Sequence, residues 1–345
     1  MILSLRNGLQ IGGVPFVLDA SRPEQFAFAS HAHADHCGRH RRILCTPATA
    51  DLARSRFGKS ETITLVFGQI ADVEGTEVTL FSAGHVLGSA QILMTVGGQR
   101  ILYTGDLKPA GGKTAPPAAI PACDILIIET TYGRPEYVFP PVEKTIEQLV
   151  LIIKRAFIRG LTPVILAYGL GKAQETMALL EDQGFAFACH RSVYDIVEIY
   201  RKHRLPLSGA ELFSADHLRG KVVMMPPGMS RSREWRSIKN PYTVFLSGWA
   251  VDNLPRTPAV DLLLPLSDHA DYPQLLDFIE KTGARMIYTV HGFSELADRL
   301  MAAGRQARHL SGKATIDMLT GRDARPGNTY DLFDQAEKPR RRGRR

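Results

Sequence analysis

Short apolar runs bounded by Gly, Pro and Asp alternate along the chain with stretches whose apolar residues recur at helical spacing. Val14–Leu18, Glu77–Phe81, Ile92–Val96, Arg100–Thr104, Asp124–Glu129, Pro163–Ala167, Lys221–Met225, Thr243–Leu246, Asp261–Pro265 and Arg285–Val290 read as strands. Three stretches read as helices. Ile146, Leu149, Val150, Ile153 and Phe157 share one helical face; Leu275, Leu276, Phe278 and Ile279 follow Pro273, a residue suited to a first turn; Ala173–Leu180 follows a Gly-rich turn. The mixture predicts an α/β or α+β fold in which several strands end at a site. No internal repeat is present.

Pro and Gly cluster at 109–121 and 133–141, and Pro255 and Pro258 follow later. The last two groups bracket about 120 residues, a length suited to an inserted domain. The expected division is therefore 1–139, an insertion over 140–258, a returning part over 259–336, and a basic, disordered tail over 337–345. With 345 residues and 44% apolar content, global disorder is excluded. The net charge of +7 changes little, because Lys338, Arg340, Arg341, Arg342, Arg344 and Arg345 supply six of it. The body is near neutrality, and the tail is a solvated arm or a contact for polyanions. Cys37, Cys45, Cys123 and Cys189 stand far apart, with no CxxC pair, which points to reduced thiols inside the cell. The first residues lack the apolar core of a leader, and no run approaches the ~18 residues of a membrane span. A soluble cytoplasmic protein, nucleoid-associated if it works on DNA, is the expectation.

One segment dominates the candidate chemistry: Ser30-His31-Ala32-His33-Ala34-Asp35-His36. In an extended segment His31 and His33 point the same way and grip one ion, while Asp35 and His36, past a turn, aim at a second. Imidazole with carboxylate is the ligand set of an open hydrolytic site for Zn²⁺ or Mn²⁺. His85, Asp106 and His291 each follow a strand and stand beside a glycine. Each alone would serve equally as a turn or cap residue; together with the cluster they have the composition of a dinuclear site.

His31-x-His33-x-Asp35-His36, then His85, then Asp106, resembles the metallo-β-lactamase fold, with Asp19 at its first acidic motif. Glu129 in Ile128-Glu129-Thr130-Thr131-Tyr132-Gly133, His269 in Ser267-Asp268-His269-Ala270-Asp271 and His291 in Val290-His291-Gly292 resemble motifs A, B and C of the β-CASP nucleases. Gly169-Leu170-Gly171-Lys172-Ala173-Gln174-Glu175 and Pro226-Pro227-Gly228-Met229 match recurring segments of the inserted β-CASP domain. The resemblance runs from about residue 10 to residue 320 with every motif in order.

The resemblance implies an αββα sandwich, supplied by 1–139 and 259–336, with a small α/β β-CASP insertion over 140–258. It implies a metal-dependent nuclease in which His31, His33 and His85 hold one divalent ion, Asp35, His36 and His291 hold another, and Asp106 bridges. Two such ions, Zn²⁺ first and Mn²⁺ as the alternative, activate water and stabilise a phosphoryl transition state. His269, oriented by Glu129, would be the general acid, and Asp19 would support the histidine cluster from behind. Nucleic acid would thread between the domains, with Lys172, Arg231 and Arg233 as candidate backbone contacts; Trp235 and Trp249 are candidates for base stacking or for the core. Cys37 reads as packing. His at motif C is the habit of the family's RNA-processing enzymes, whereas the compact length and small insertion resemble the bacterial DNA-ligase-associated exonucleases. The expectation is a DNA exonuclease in repair, associated functionally with a ligase and a helicase, with RNA processing as the alternative. A small-molecule hydrolase of the same fold and an inactive binding subunit are the readings from other classes.

Overall fold

The computed structural model describes residues 1–229, 232–252, 260–312 and 314–323. Arg231, Pro255, Pro258 and the 337–345 tail lie outside the described residues. The strands β1 (Ile2–Leu5), β2 (Leu9–Ile11), β3 (Val17–Leu18), β4 (Phe26–Phe28), β5 (Arg42–Cys45) and, after helix α1 (Pro47–Phe57), β6 (Glu61–Thr64) form one sheet in that order. The strands β7 (Ile70–Val73), β8 (Thr76–Ser82), β9 (Ala90–Val96), β10 (Gln99–Tyr103) and β11 (Ile125–Thr130) begin a second. The chain then runs through α2 (Val142–Ile158), β12 (Thr162–Leu166), α3 (Lys172–Glu181), β13 (Ala186–Cys189) and α4 (Arg191–Lys202). It continues through β14 (Ala210–Leu212), β15 (Lys221–Met225), α5 (Arg233–Ser237), β16 (Pro241–Leu246) and β17 (Leu262–Leu264). These strands make a third sheet, parallel throughout, in the order β14-β13-β15-β12-β16-β17. After α6 (Tyr272–Thr282), β18 (Met286–Gly292), α7 (Glu295–Ala302) and β19 (Gln306–His309) the second sheet is complete, and β20 (Thr315–Asp317) pairs with β1.

The continuous apolar run Ile125–Ile128 explains how the layers stack. Side chains alternate across a strand, so Ile125 and Ile127 enter the core between the first two sheets while Leu126 and Ile128 face α6 and α7. Leu9, Phe16 and Phe28 of the first sheet meet Leu80, Ile92 and Tyr103 of the second in that shared core. On the outer face of the first sheet, Ile43 and Cys45 pack with Leu52 of α1. The result is the expected αββα sandwich. The third sheet buries one face under α2, α3 and α4 in a core continuous with α1, and its other face carries a smaller cluster with Ile238.

Two expected elements differ. Of Val14–Leu18 only Val17 and Leu18 pair, although Val14 and Phe16 are buried. The Asp261–Pro265 strand, beyond the division at 258, is β17 at the edge of the third sheet rather than part of the returning segment. Asp261 fixes it there: its Oδ2 accepts from Thr243 N (2.7 Å) and Thr243 Oγ1 (2.6 Å) on β16.

Candidate active site

Asp19 organises the back of the site. It follows β3 with a left-handed backbone (φ 48°), a conformation that short polar side chains tolerate best. Its buried carboxylate accepts from Ser30 N (2.7 Å), Ser30 Oγ (2.6 Å), Tyr103 Oη (2.8 Å) and His36 Nδ1 (2.7 Å). The His31–His36 segment is a loop after β4 that turns sharply, with His33 O accepting from His36 N (3.2 Å) and Cys37 N (2.9 Å). Cys37 is fully buried in the core, and burial pushes its thiol up to about 12.

Glycines let the other loops approach. Gly84 (φ +73°) precedes His85, and a Cβ there would lie 2.0 Å from Lys108 O. Gly105 (φ +55°) precedes Asp106, and its Cβ would fall 2.5 Å from the Ser30 side chain. His291 is delivered by a register shift. Glu129 pairs with Val290 but Thr130 with Gly292, so His291 bulges out of β18 with φ 51°.

These loops cluster His31, His33, His85 and Asp106 of the expected ligand set, with His36 beside Asp106 and with Asp35 and His291 beside His36. His31 Nε2 and His33 Nδ1 are 2.9 Å apart, and His85 Nε2 is 3.2 Å from His33 Nδ1. Asp106 Oδ2 lies 3.4 Å from His31 Nε2 and 3.5 Å from His85 Nε2. A tetrahedral ion with bonds of about 2.0–2.1 Å separates its ligand atoms by about 3.3 Å, so these four donors fit one divalent cation. The other oxygen of Asp106, Oδ1, is 3.2 Å from His36 Nε2, which in turn is 3.7 Å from Asp35 Oδ2. The His291 ring lies 4.8 Å from the His36 ring, tilted by 47°. Asp35 stands at the rim, its side chain 80% exposed.

The rear nitrogens of His31, His33 and His85 are engaged. His33 Nε2 donates to Leu170 O (3.1 Å), His85 Nδ1 to Asp268 O (2.7 Å) and His31 Nδ1 to Ser30 Oγ (2.9 Å), whose own proton goes to Asp19. Those bonds fix the tautomers and leave lone pairs facing inward. Burial and the neighbouring histidines hold His31 and His85 well below the usual imidazole range, and burial takes His33 down to about 4. Neutral imidazoles are what a cation requires. Burial pushes Asp106 up to about 7 against the pull of His36 and His269.

Glu129, at the end of β11, holds His269. Its oxygens lie 2.9 and 3.1 Å from His269 Nδ1, and it also accepts from Leu107 N (2.6 Å) and from the Thr131 hydroxyl. His269 Nε2 points at the ligand set, 3.9 Å from Asp106 Oδ2. Burial would lower His269, but the Glu129 and Asp106 carboxylates outweigh it and raise it to about 9. The loop is anchored by Asp271, which caps α6 by accepting from Gln274 N (3.0 Å), a contact worth about 1 kcal/mol.

A cleft of about 580 Å³ opens over this cluster. Its far wall comes from the carboxyl ends of β12 and β16, the position where open parallel sheets take ligands. Two of the expected backbone contacts are placed differently by the structure. Lys172 reaches the cleft but is 4% exposed, because Asp268 takes its charge at 2.9 Å. Arg233 begins the five-residue α5, is exposed, and does not line the cleft. Trp235 packs against the outer cluster of the third sheet, whereas Trp249 lines the cleft. Sequence reasoning missed Asp268, Arg56, Tyr132 and Tyr168, which also line it. Of these, Asp268 and Tyr132 stood inside quoted motifs, and Tyr168 directly precedes another.

No family model matches the chain. It is 36% identical over 306 residues to a protein of Opitutus terrae named "Probable DNA ligase", a match covering 87% of this chain and 30% of that protein. An RNase J-like protein of Methanocaldococcus jannaschii is 34% identical over 197 residues, 50% of this chain and 46% of the relative. Endoribonuclease YSH1 of Saccharomyces cerevisiae is 24% identical over 310 residues, 72% of this chain and 39% of the relative. The chain thus spans less than half the length of each of these relatives. With the αββα layers, the motifs in order and these similarities in hand, the chain belongs to the β-CASP nucleases of the metallo-β-lactamase fold.

Proposed function

We propose that this chain hydrolyses phosphodiester bonds of nucleic acid with the help of two divalent cations. The observation that carries this reading is Asp106, whose Oδ2 faces His31 and His85 and whose Oδ1 faces His36, while His269 Nε2 stands beside it. His31, His33, His85 and Asp106 would hold one cation, and Asp35, His36, His291 and Asp106 the other. Cations so held would supply Lewis acidity to the scissile phosphate and an activated water. The protein's own residues do the rest. His269, kept protonated by Glu129, donates from Nε2 to the leaving oxygen, and Asp19 keeps His36 in place. The insertion, which the third sheet suggests reaches at least Leu264, walls the cleft and shields the site from bulk water.

For substrate we favour DNA cleaved from an end, in repair, alongside a ligase and a helicase. The support is that 87% of the chain aligns with part of a protein named a DNA ligase. RNA processing has its own support in His291 and in relatives named RNase J-like and endoribonuclease. Among the described residues no helix is long and apolar enough to cross a membrane, and we place the activity in the cytoplasm. Purified protein should be given end-labelled DNA and RNA of matched sequence with Zn²⁺, Mn²⁺ or chelator. Stepwise shortening of DNA alone is expected. Cleavage of RNA alone would replace the DNA reading, and cleavage of neither under any metal would refute the nuclease reading.

A further inference from the structure

The cleft has an aromatic wall that neither the proposed ligand set nor the His269–Glu129 pair uses. Trp249 follows β16 and Tyr168 follows β12, two adjacent parallel strands, so both rings leave the third sheet at the same end. Both residues line the cleft that contains His33, Asp106 and His269. Tyr168 is 51% exposed and Trp249 is half-buried. Trp249 is also held in place from behind. Its ring packs 4.8 Å from Tyr132, 5.4 Å from Tyr137 and 6.1 Å from Phe293, and Ser247 Oγ accepts from its backbone N (3.3 Å). Gly248 permits that packing, since a Cβ there would strike the Tyr132 hydroxyl at 2.3 Å. Tyr132 is the bridge to the chemistry: its ring lies 6.0 Å from His269.

We propose that Trp249, flanked by Tyr168, is a stacking subsite for an unpaired nucleobase next to the scissile phosphate. The proposal rests on the nuclease reading for its occupant. A half-buried ring that lines the cleft, one aromatic contact away from a proton donor to a leaving oxygen, suits a planar π system attached to that phosphate. Within a duplex both faces of a base are already stacked, so an unpaired or frayed end is the form this wall accepts. Stacking tolerates every base, which makes the subsite a reader of strandedness rather than of sequence.

Trp235 and Trp249 are the chain's two tryptophans, so Trp235→Phe leaves Trp249 as the sole tryptophan, excited selectively at wavelengths beyond tyrosine absorption. In chelator, that protein is titrated with a short labelled oligothymidylate and with the same oligomer carrying an abasic residue at each position in turn. Binding is followed independently by anisotropy of the label. Quenching of Trp249 by the intact oligomer, lost with one particular abasic placement, is expected. Binding without quenching would overturn the proposal. In the cleavage assay, Trp249→Ala should lower kcat/KM on the intact oligomer by about 5- to 150-fold. That loss should vanish on the oligomer abasic at the sensitive position, and Trp249→Phe should restore most of it. An equal loss on both oligomers would show a merely structural ring and overturn the proposal. If wild-type protein cleaves neither oligonucleotide nor bis(p-nitrophenyl) phosphate, the nuclease reading fails, while quenching in chelator still decides for or against the stacking subsite.

Discussion

Removing the Lys172 charge tests how the third sheet is tied to the site. Lys172 Nζ and Asp268 Oδ1 are 2.9 Å apart, with side chains only 5% and 9% exposed. In Lys172→Met the carboxylate keeps its place without its main partner. Leaving one charge of a buried pair uncompensated costs about 3–5 kcal/mol, against about 0–1 for an exposed pair. The low exposure selects the larger range. The measurement is urea unfolding in chelator, so that metal binding contributes nothing, with the midpoint shift read at constant m-value. Lys172→Met with Asp268→Asn removes both charges and should recover most of the loss.

The pH dependence gives a second readout of the same pair. Burial would raise Asp268, but Lys172, then His85 and His269, hold it well below its ordinary 3.8. A depressed carboxylate contributes stability that is fully present above 3.8 and is lost as pH falls through its lower folded value. The wild-type contribution should therefore be complete above about pH 4 and lost below it, while the variant's Asp268, buried without its lysine, takes up a proton at higher pH, so the gap should begin to close already above pH 4. A cost under about 1 kcal/mol at pH 7 would place the pair in the exposed class and refute the reasoning. So would a double variant that loses as much as the two single variants together.

Three further outcomes are expected. Asp106→Asn should retain fewer divalent ions by elemental analysis and lose phosphodiesterase activity; full metal retention would contradict a shared carboxylate. His269→Ala should slow nucleic-acid cleavage by about 10²–10⁴-fold with bound metal unchanged, while an activated p-nitrophenyl diester, which needs little proton help, falls far less. Because His269 is raised to about 9, its acid form is present below that pH and lost above, so the variant should lack the alkaline fall of the wild-type oligonucleotide profile. Asp19→Ala, which frees Ser30, His36 and Tyr103 together, should weaken metal affinity by about 10–100-fold, and Tyr103→Phe by much less.

The expected ligand positions were legible because their chemistry is local. Three histidines and an aspartate within six residues need no long-range information, and His85, Asp106 and His291 each follow a readable strand. Strands with long apolar runs, such as Ile125–Thr130, were legible for the same reason. Most strands of two to four residues were not, since β2, β13 and β14 are too short to show an alternating pattern. The helix α1 mixes Ala, Thr and Arg around its circumference and presents no apolar stripe. The helix α4 does carry one, in Val193, Ile196, Val197 and Tyr200, and its signal was there to be read. The Lys172–Asp268 pair was invisible for a different reason. A lysine at a helix start suggests a free cation, and only the folded arrangement brings the carboxylate that takes it.

That pair also bears on how the third sheet and the metal cluster depend on each other. His33 Nε2 donates to the carbonyl of Leu170, in the loop that ends β12, and His85 Nδ1 donates to the carbonyl of Asp268, in the loop after β17. Both carbonyls orient imidazoles of the candidate ligand set, and both belong to loops joined by the Lys172–Asp268 ion pair. If the wall moves away, His33 and His85 lose the bonds that fix their tautomers, and the inward lone pairs are no longer held. Cation binding at this set and docking of the wall would therefore favour each other, as linkage requires for two events that stabilise the same arrangement. A wall held in this way would do more than enclose substrate: it would hold in place imidazoles of the candidate ligand set that the histidine loop alone would leave loose.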